Sequence, residues 1–361
     1  MARIELVDLA HAYKPDPSSP ADYALRPMSM RWEDGGAYAL LGPSGCGKTT
    51  LLNIISGLVC PSQGRVLFDG KEVTDLPPER RNIAQVFQFP VIYDTMTVFD
   101  NLAFPLRNRG WKSADIHRRV ERIAGMLDLS SDLKHRASGL SADAKQKISL
   151  GRGLVRPDVA AVLFDEPLTV IDPQLKWQLR RKLKEIHREL KLSLIYVTHD
   201  QVEALTFADQ VIVMTHGEVV QAGTAQQLFE EPAHTFVGYF IGNPGMNLLP
   251  CSVSDGAAHV GGGSIPLAPA ARAALSNASG NIKLGIRPEF VECAFEPRAG
   301  TAAATVASVR HLGTHCLAEF RLGSHTVAAK MRHLSAVAGD PVWLRLPAER
   351  TLYYVEDKRV A

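Results

Sequence analysis

The sequence predicts an α/β domain followed by a smaller all-β domain. Three observations carry this. Over residues 1–240, compact apolar runs alternate with helical patterns. One run leads through a glycine-rich loop, Gly42–Thr49, into a helical stretch. From residue 248 onward the helical period gives way to short strand-like segments separated by turn residues.

The apolar runs of the first part are "AYALLG" (37–42), "NIAQVFQ" (82–88), "VAAVLFDE" (159–166), "LSLIYVTHD" (192–200) and "DQVIVM" (209–214). Runs this compact fit strands covered on both faces, as in a parallel sheet. Between them, Ile116, Val120, Ile123 and Leu127 recur at helical spacing and mark a buried helix face. The cations Arg107, Arg109, Lys112, Arg118, Arg119 and Arg122 in the same region read as a solvated face. Gly and Pro cluster in "IGNPGMN" (241–247), which reads as a linker between a first domain, 1–240, and a second, 248–361. The strand-like runs of the second part, from "NLLPCSV" to "RTLYYVE", suggest a small barrel.

Bulk properties exclude several classes. With 361 residues, 46% hydrophobic and 22% charged, the chain has the makings of a full core. A net charge of +2 gives no sign of a dedicated nucleic-acid binder. The five cysteines, an odd number, show no C-x-x-C spacing, so neither a disulfide framework nor a zinc site is expected, and a reducing compartment fits. Acids interrupt the apolar pattern of "MARIELVDLAHAYKP", unlike a signal peptide. No uninterrupted apolar run reaches membrane-spanning length.

"GPSGCGKT" (Gly42–Thr49) satisfies every fixed position of the phosphate-binding loop, in the strand–loop–helix context that the loop requires. Its glycines let backbone N–H groups converge on phosphate oxygens. Lys48 supplies a cation for the β- and γ-phosphates, Thr49 a hydroxyl for Mg²⁺, and the following helix points its positive end at the anion. In "VLFDEP", Asp165 ends an apolar strand and suits a Mg²⁺ ligand, while Glu166 can polarise a water for attack. An acid pair before Pro167 could also open a helix; the phosphate loop favours the catalytic reading. His199 in "YVTHD" could contact the γ-phosphate, and Gln88 after "IAQVF" could reach Mg²⁺ or the attacking water, although alone each has an ordinary structural alternative.

The loop "GPSGCGKTT", Gln88 in "VFQ", "LSADA", "VLFDEP", "IDP" (171–173) and "YVTHD" stand in the order found in ATP-binding subunits of ABC transporters, and the chain resembles that family. The C-terminal segment, with "GIRPE" (285–289) and "FIGNPGMNLLP" (240–250), is similar to importer subunits of the maltose and polyol type. "FQFPVIYDTMTVFDNLAFPL" looks closest to glycerol and polyol importers. The resemblance implies a P-loop nucleotide-binding domain with an OB-like β-barrel domain after it, and hydrolysis of ATP with Mg²⁺. Tyr13 would stack on adenine, with an ordinary strand tyrosine as the alternative. Gly42, Ser44, Gly45, Cys46, Gly47, Lys48, Thr49 and Thr50 would surround the phosphates. Thr49, Gln88 and Asp165 would serve Mg²⁺, with Glu166 as base, His199 as switch and Gln88 as a further catalytic group. Asp172 would communicate across a dimer in which each ATP lies between one phosphate loop and the partner's signature helix. Implied partners are two transmembrane permease subunits and, indirectly, an external substrate-binding protein. The implied location is the cytoplasmic face of the inner membrane, and the implied cargo a small carbohydrate or polyol, glycerol foremost.

The signature departs from the family's usual Leu-Ser-Gly-Gly-Gln. Leu140 and Ser141 match, but Ala142, Asp143 and Ala144 do not, and Gly151 and Gly153 stand where the family usually has Ala. An Asp143 carboxylate facing a γ-phosphate at ~4 Å would be repelled by about 4 kcal/mol at an effective dielectric near 20. The expectation is therefore an asymmetric pair, in which a different ATPase subunit supplies an intact signature. A homodimer in which Asp143 turns outward or takes Mg²⁺ is the alternative. Each helical glycine costs roughly 1 kcal/mol against alanine, so the signature helix is expected to be weak. "KPDPSSPADYALRP" (14–27) lengthens the first hairpin. Two other classes compete: a soluble ABC ATPase uncoupled from transport, and an ATP-binding regulatory subunit with little turnover. The balanced charge counts against the first, and Glu166 with His199 against the second.

Overall fold

The computed structural model describes residues 2–169, 171–276, 278 and 280–360. The chain folds into two compact units, Met1–Ala225 and Gln226–Ala361.

The first unit holds two sheets. Strands β1 (Ile4–His11), β2 (Leu25–Trp32), β4 (Gln63–Phe68) and β5 (Lys71–Glu72) form an antiparallel sheet in the order β2-β1-β4-β5. The second sheet has the order β10-β9-β3-β8-β7-β6, with β3 (Ala37–Leu41), β6 (Ala84–Val86), β7 (Val162–Asp165), β8 (Leu194–Thr198), β9 (Gln210–Thr215) and β10 (Glu218–Gly223). Strands β9, β3, β8, β7 and β6 run parallel, and β10 is antiparallel at the edge. All five residues of β3 and of β8 are buried, which is why those runs read as continuous apolar stretches rather than alternating ones. Helix α1 (Lys48–Ser56) leaves β3, and its Leu51, Leu52, Ile54 and Ile55 are fully buried in a core shared with both sheets.

The helices that follow are α2 (Pro78–Arg81), α3 (Val98–Arg107), α4 (Ser113–Met126), α5 (Ala142–Leu154), α6 (Pro173–Leu190) and α7 (Gln201–Phe207). Ile116, Val120, Ile123 and Leu127 all lie at the buried face, as their spacing predicts. The cations of this region are partly engaged: Arg107 pairs with Asp100, Arg122 with Glu189, and Arg119 donates to the carbonyls of Leu154 and Val155 at the end of α5.

Packing explains the two glycines of α5. A Cβ on Gly151 would lie 2.5 Å from Leu102 Cδ2 and 3.1 Å from Leu127 Cδ1, and one on Gly153 would lie 2.7 Å from Val86 Cγ2. Glycine therefore lets α5 approach α3 and strand β6 closely. Leu102 and Leu127 are fully buried and have nowhere to retreat. Gly151→Ala should gain roughly 1 kcal/mol of helix propensity but lose about 1–3 kcal/mol to overpacking. The expected outcome is a lower thermal midpoint, checked by calorimetry; a midpoint at or above wild type would show that the site can relax.

The second unit holds three antiparallel sheets around one core. The first joins Asn247–Pro250, Ile282–Ile286, Thr351–Val355 and Lys358–Arg359. The second is a meander of Ser252–Ser254, Ala257–Val260 and Gly263–Pro266. The third joins Glu292–Ala294, Pro341–Arg345, Thr301–His311, Cys316–Leu322 and His325–Met331. A helix, Pro269–Leu275, which the strand reading did not include, buries Ala271 and Leu275 against this core.

The division falls earlier than residue 240. Helix Thr235–Phe240 and the preceding segment belong to the second unit because Arg287 gathers them. Its buried guanidinium donates to the carbonyls of Leu228, Phe229, Gly238 and Ile241 and lies 4.3 Å from the Phe229 ring centroid. Burial pulls the Arg287 pKa down to about 10, and the four carbonyls replace the water that this side chain gives up.

Candidate active site

The order of the parallel strands assembles the site. The phosphate loop leaves β3, His199 follows β8, Asp165 ends β7, and Gln88 lies beyond β6. These four strands are consecutive neighbours, and the register sets Leu41 opposite Thr198, Asp165 opposite Val197 and Val86 opposite Phe164. The phosphate loop and His199, far apart in sequence, therefore emerge on neighbouring strands, with Asp165 and Gln88 beyond them at the same carboxyl edge, where open α/β sheets bind ligands.

Within the loop, Gly45 and Gly47 have φ of +79° and +100°. A Cβ on Gly47 would lie 2.4 Å from the Ala24 carbonyl oxygen, and one on Gly42 2.2 Å from that of Met214, so a side chain at either position would break the loop's seat. A cavity of about 310 Å³ opens over the loop, bounded by Ser44, Gly45, Gly47, Lys48, Thr49 and Thr50 and closed on other sides by Tyr13, Ala24 and Glu166. Helix α1 begins at Gly47 without a side-chain cap, leaving its first N–H groups for a ligand. Cys46 differs from expectation: its thiol is buried in the core, and burial raises its pKa. Only the backbone of Cys46 can face a phosphate.

Lys48 is 5% exposed, and its ammonium donates to the carbonyls of Gly42 (2.8 Å) and Pro43 (2.9 Å). No carboxylate among the described residues lies within salt-bridge distance of it. A buried cation held by two neutral carbonyls and, at 3.8 Å, the Cys46 sulfur is electrostatically incomplete, and a phosphate would complete it. Thr49 Oγ1 donates to Asp165 Oδ1 at 3.3 Å. The Asp165 pKa is raised, first by burial and also by the Glu166 charge, while the Thr49 hydrogen bond and Lys48 oppose the rise. A hydroxyl and a carboxylate meeting at the rim of a phosphate site are the donor set that Mg²⁺ uses beside phosphate oxygens and water.

Glu166 adopts φ +47°, a left-handed conformation that costs a non-glycine residue about 1–3 kcal/mol and recurs at functional sites. Its N–H donates to the Val197 carbonyl, so pairing with β8 holds the strained turn. Glu166 Oε2 lies 3.1 Å from His199 Nδ1 and accepts from Thr169 Oγ1 at 3.3 Å. The two site residues expected from the sequence thus touch, and His199 remains half exposed for a ligand.

Tyr13 is 67% exposed, with its ring edge-on to His11 (4.6 Å) and its hydroxyl 3.2 Å from Thr50 Oγ1. An aromatic side chain tethered at the start of α1 and open to solvent is available for stacking. The lengthened hairpin beside it is ordered by Asp22, which accepts from the N–H groups of Ser18 and Ser19; these hydrogen bonds lower its pKa to about 2. Gln88 is half buried, and its side chain has no hydrogen-bond partner among the described residues. Asp172 caps α6 through Oδ1, which accepts from Gln174 N at 2.9 Å.

Ser141 caps α5, accepting from Ala144 N at 3.3 Å, with Ala142 exposed beside it. Asp143 is not a bare charge. Its Oδ2 lies 3.0 Å from Lys147 Nζ one turn along, and each side chain is only about a fifth exposed. The other oxygen, Oδ1, is buried without a hydrogen-bond partner. The repulsion expected for an isolated carboxylate is therefore an overestimate, because the Lys147 cation travels with it. The sequence reading also passed over Gln146, which is fully buried and donates to the Pro167 carbonyl at 2.6 Å, linking the signature helix to the turn after Glu166.

A phosphate loop, a strand-end acid pair and a strand-end histidine on one parallel sheet define an ATP-hydrolysing domain that works with Mg²⁺. The chain belongs to the ATP-binding proteins of ABC transporters: the ABC transporter family matches residues 25–169, the MalK OB fold domain 242–291 and the TOBE domain 284–353. It is 39% identical over 327 residues, 90% of each chain, to the sn-glycerol-3-phosphate import ATP-binding protein UgpC of Salmonella choleraesuis. It is 38% identical over the same share to the UgpC of Escherichia coli O6:H1. Among solved structures it is similar to cbiO1 of Clostridium perfringens, part of the ABC transporter complex cbiONQ, with 26% identity and a TM-score of 0.57 over 63% of this chain and 90% of that one. It is an import ATPase of the sugar and polyol class. No helix among the described residues is long and apolar enough to cross a membrane.

Proposed function

We propose that this chain energises import of a phosphorylated polyol, with sn-glycerol 3-phosphate as the leading cargo, from the cytoplasmic face of the inner membrane. The observation that supports the cargo is the similarity to glycerol-3-phosphate import subunits across nine-tenths of the chain. Its partners in this reading are two permease subunits, which carry the translocation path, and an external binding protein that delivers the cargo.

Lys48 and the N–H groups of the loop hold the phosphates, and Tyr13 stacks on the adenine. Thr49 and Asp165, with Gln88, hold Mg²⁺, which neutralises charge on the phosphate oxygens when bound. Glu166 accepts the proton of the attacking water. His199 orients Glu166 and reaches the γ-phosphate. Asp172 faces the opposite subunit. The support is the buried uncompensated Lys48 and the 3.1 Å contact between Glu166 and His199.

The expectation of an unlike ATPase partner depends on an unpaired Asp143. With Lys147 attached to it, a second copy of this chain is the partner that we propose. Replacing Ala142, Asp143 and Ala144 by Gly, Gly and Gln together with Lys147→Ala should change the ATPase rate of the isolated chain by less than about threefold, because the Asp143–Lys147 pair removed is close to neutral. A rise of about a thousandfold, the size expected for relief of a bare ~4 kcal/mol repulsion, would restore the asymmetric pair.

The cargo is tested on the complex purified from membranes and rebuilt in vesicles with its binding protein. ATP hydrolysis should rise with sn-glycerol 3-phosphate and stay basal with maltose. Equal rates with both would remove the cargo assignment.

A further inference from the structure

We propose that Glu203 is a positioning residue for His199 and ties it to the helix that begins at Asp172. This rests on the role of His199 proposed above. Glu203 lies on α7 and is 4% exposed, an unusual place for a carboxylate that is not fully paired. Its Oε2 accepts from Tyr196 Oη at 3.0 Å and from Thr198 Oγ1 at 2.8 Å. Thr198 Oγ1 in turn accepts from the backbone N–H of Asp200 at 3.0 Å. Asp200 Oδ1 accepts from the N–H groups of Val202 and Glu203, closing the loop back onto α7.

His199 therefore sits between two residues that a single buried oxygen fixes. Thr198 is held through its side chain, and Asp200 is held through its N–H by that same hydroxyl. Tyr196 and Thr198 are almost fully buried, so no water competes for these bonds. Burial, and then the Glu203 charge, push the Tyr196 phenol upward, which keeps it a donor. This chain of bonds sets where His199 Nδ1 meets Glu166 Oε2, 3.1 Å away.

The second oxygen, Oε1, faces Lys176 Nζ at 4.0 Å. Lys176 stands in the first turn of α6, its N–H donating to the carbonyl of Asp172, the cap of that helix. One carboxylate thus spans both switch elements: one oxygen serves the segment carrying His199, and the other faces the helix start carrying Asp172. A displacement of Asp172 by a partner subunit has a short path to His199 through Lys176 and Glu203.

The test uses the full chain carrying Thr198→Val, Glu203→Gln or Glu203→Ala. Thr198→Val keeps the shape and removes the hydroxyl. In nucleotide-free protein, Thr198→Val and Glu203→Ala should shift the imidazole ¹⁵N resonances of His199. Both should lower kcat about tenfold while KM for MgATP stays within about twofold, since misplaced geometry costs turnover more than binding. Glu203→Gln, which keeps an oxygen for the two hydroxyls, should restore most of the rate. Thr198→Val added to Glu203→Ala should add little, because both break one chain of bonds.

Unchanged His199 resonances with wild-type kcat in Thr198→Val would overturn the proposal, and that result decides even if Glu203→Ala does not fold. Equal losses in kcat and in MgATP affinity, with no rescue by Glu203→Gln, would also overturn it by marking a general structural role. Shifted resonances in Thr198→Val, combined with wild-type turnover in His199→Ala, would leave the positioning intact and sink the catalytic role of His199 instead.

Discussion

Glu166→Gln should keep ATP bound and lower turnover by about a hundredfold or more, the usual contribution of a positioned general base. The amide has the shape of the carboxylate and can still meet His199 Nδ1 and Thr169 Oγ1, which lie 3.1 and 3.3 Å from Glu166 Oε2. It cannot accept a proton from water. Because the left-handed turn at Glu166 is held by backbone pairing to Val197, the substitution should not move the strand end. Binding of a fluorescent ATP analogue and steady-state phosphate release separate the two effects. Phosphate release near the wild-type rate would remove Glu166 from the base role and leave strain at that residue without a functional reading.

The second large effect is expected at Lys48. Lys48→Ala should weaken MgATP binding by about 30-fold or more, equivalent to at least ~2 kcal/mol, as for truncation of one partner in a buried charged contact. The ammonium is buried and held by two loop carbonyls, so it is aimed before the ligand arrives and little ordering is left to complete on binding. Removing it also releases the carbonyls of Gly42 and Pro43, which would then face an anion without an intervening cation. Equilibrium titration with the same analogue reads this directly. An unchanged dissociation constant would defeat the phosphate-loop assignment, whatever the turnover.

The two variants test different halves of the site. Lys48 belongs to a loop whose residues are consecutive in the chain. Glu166 lies 3.1 Å from His199, 33 residues further on. The first half could be read as a motif. The second needed the strand order, because only the adjacency of β7 and β8 brings the acid and the imidazole together.

Asp143 shows how far a local reading reaches. The sequence contains Asp143 and Lys147 at a separation of four, a spacing that pairs opposite charges on a helix. The pairing is thus legible in the sequence, although the departure from the usual signature involves the acid alone. The burial of Asp143 Oδ1 was not readable, since it depends on what surrounds α5. Gly151 and Gly153 are similar. Helix propensity counts them as losses, whereas Leu102, Leu127 and Val86, all distant in sequence, turn them into packing requirements. Cys46 stands inside the phosphate-loop motif, yet its thiol turns to the core because the left-handed glycines on either side reverse the chain around it.

The sequence by itself determined the class of the first domain and the strand-rich second domain, and it marks the phosphate loop, the acid pair and the histidine as short motifs. Those features are short in range: a motif occupies consecutive residues, and a buried parallel strand advertises itself through an unbroken apolar run. The tertiary structure alone decided where the first unit ends, what Arg287 gathers, and that Glu203 joins Tyr196, Thr198 and Lys176. Each of those depends on a buried polar group finding partners across the fold. The physical reason is common to all three: a charge removed from water must be satisfied by whatever the packed chain brings near, and sequence spacing does not record that.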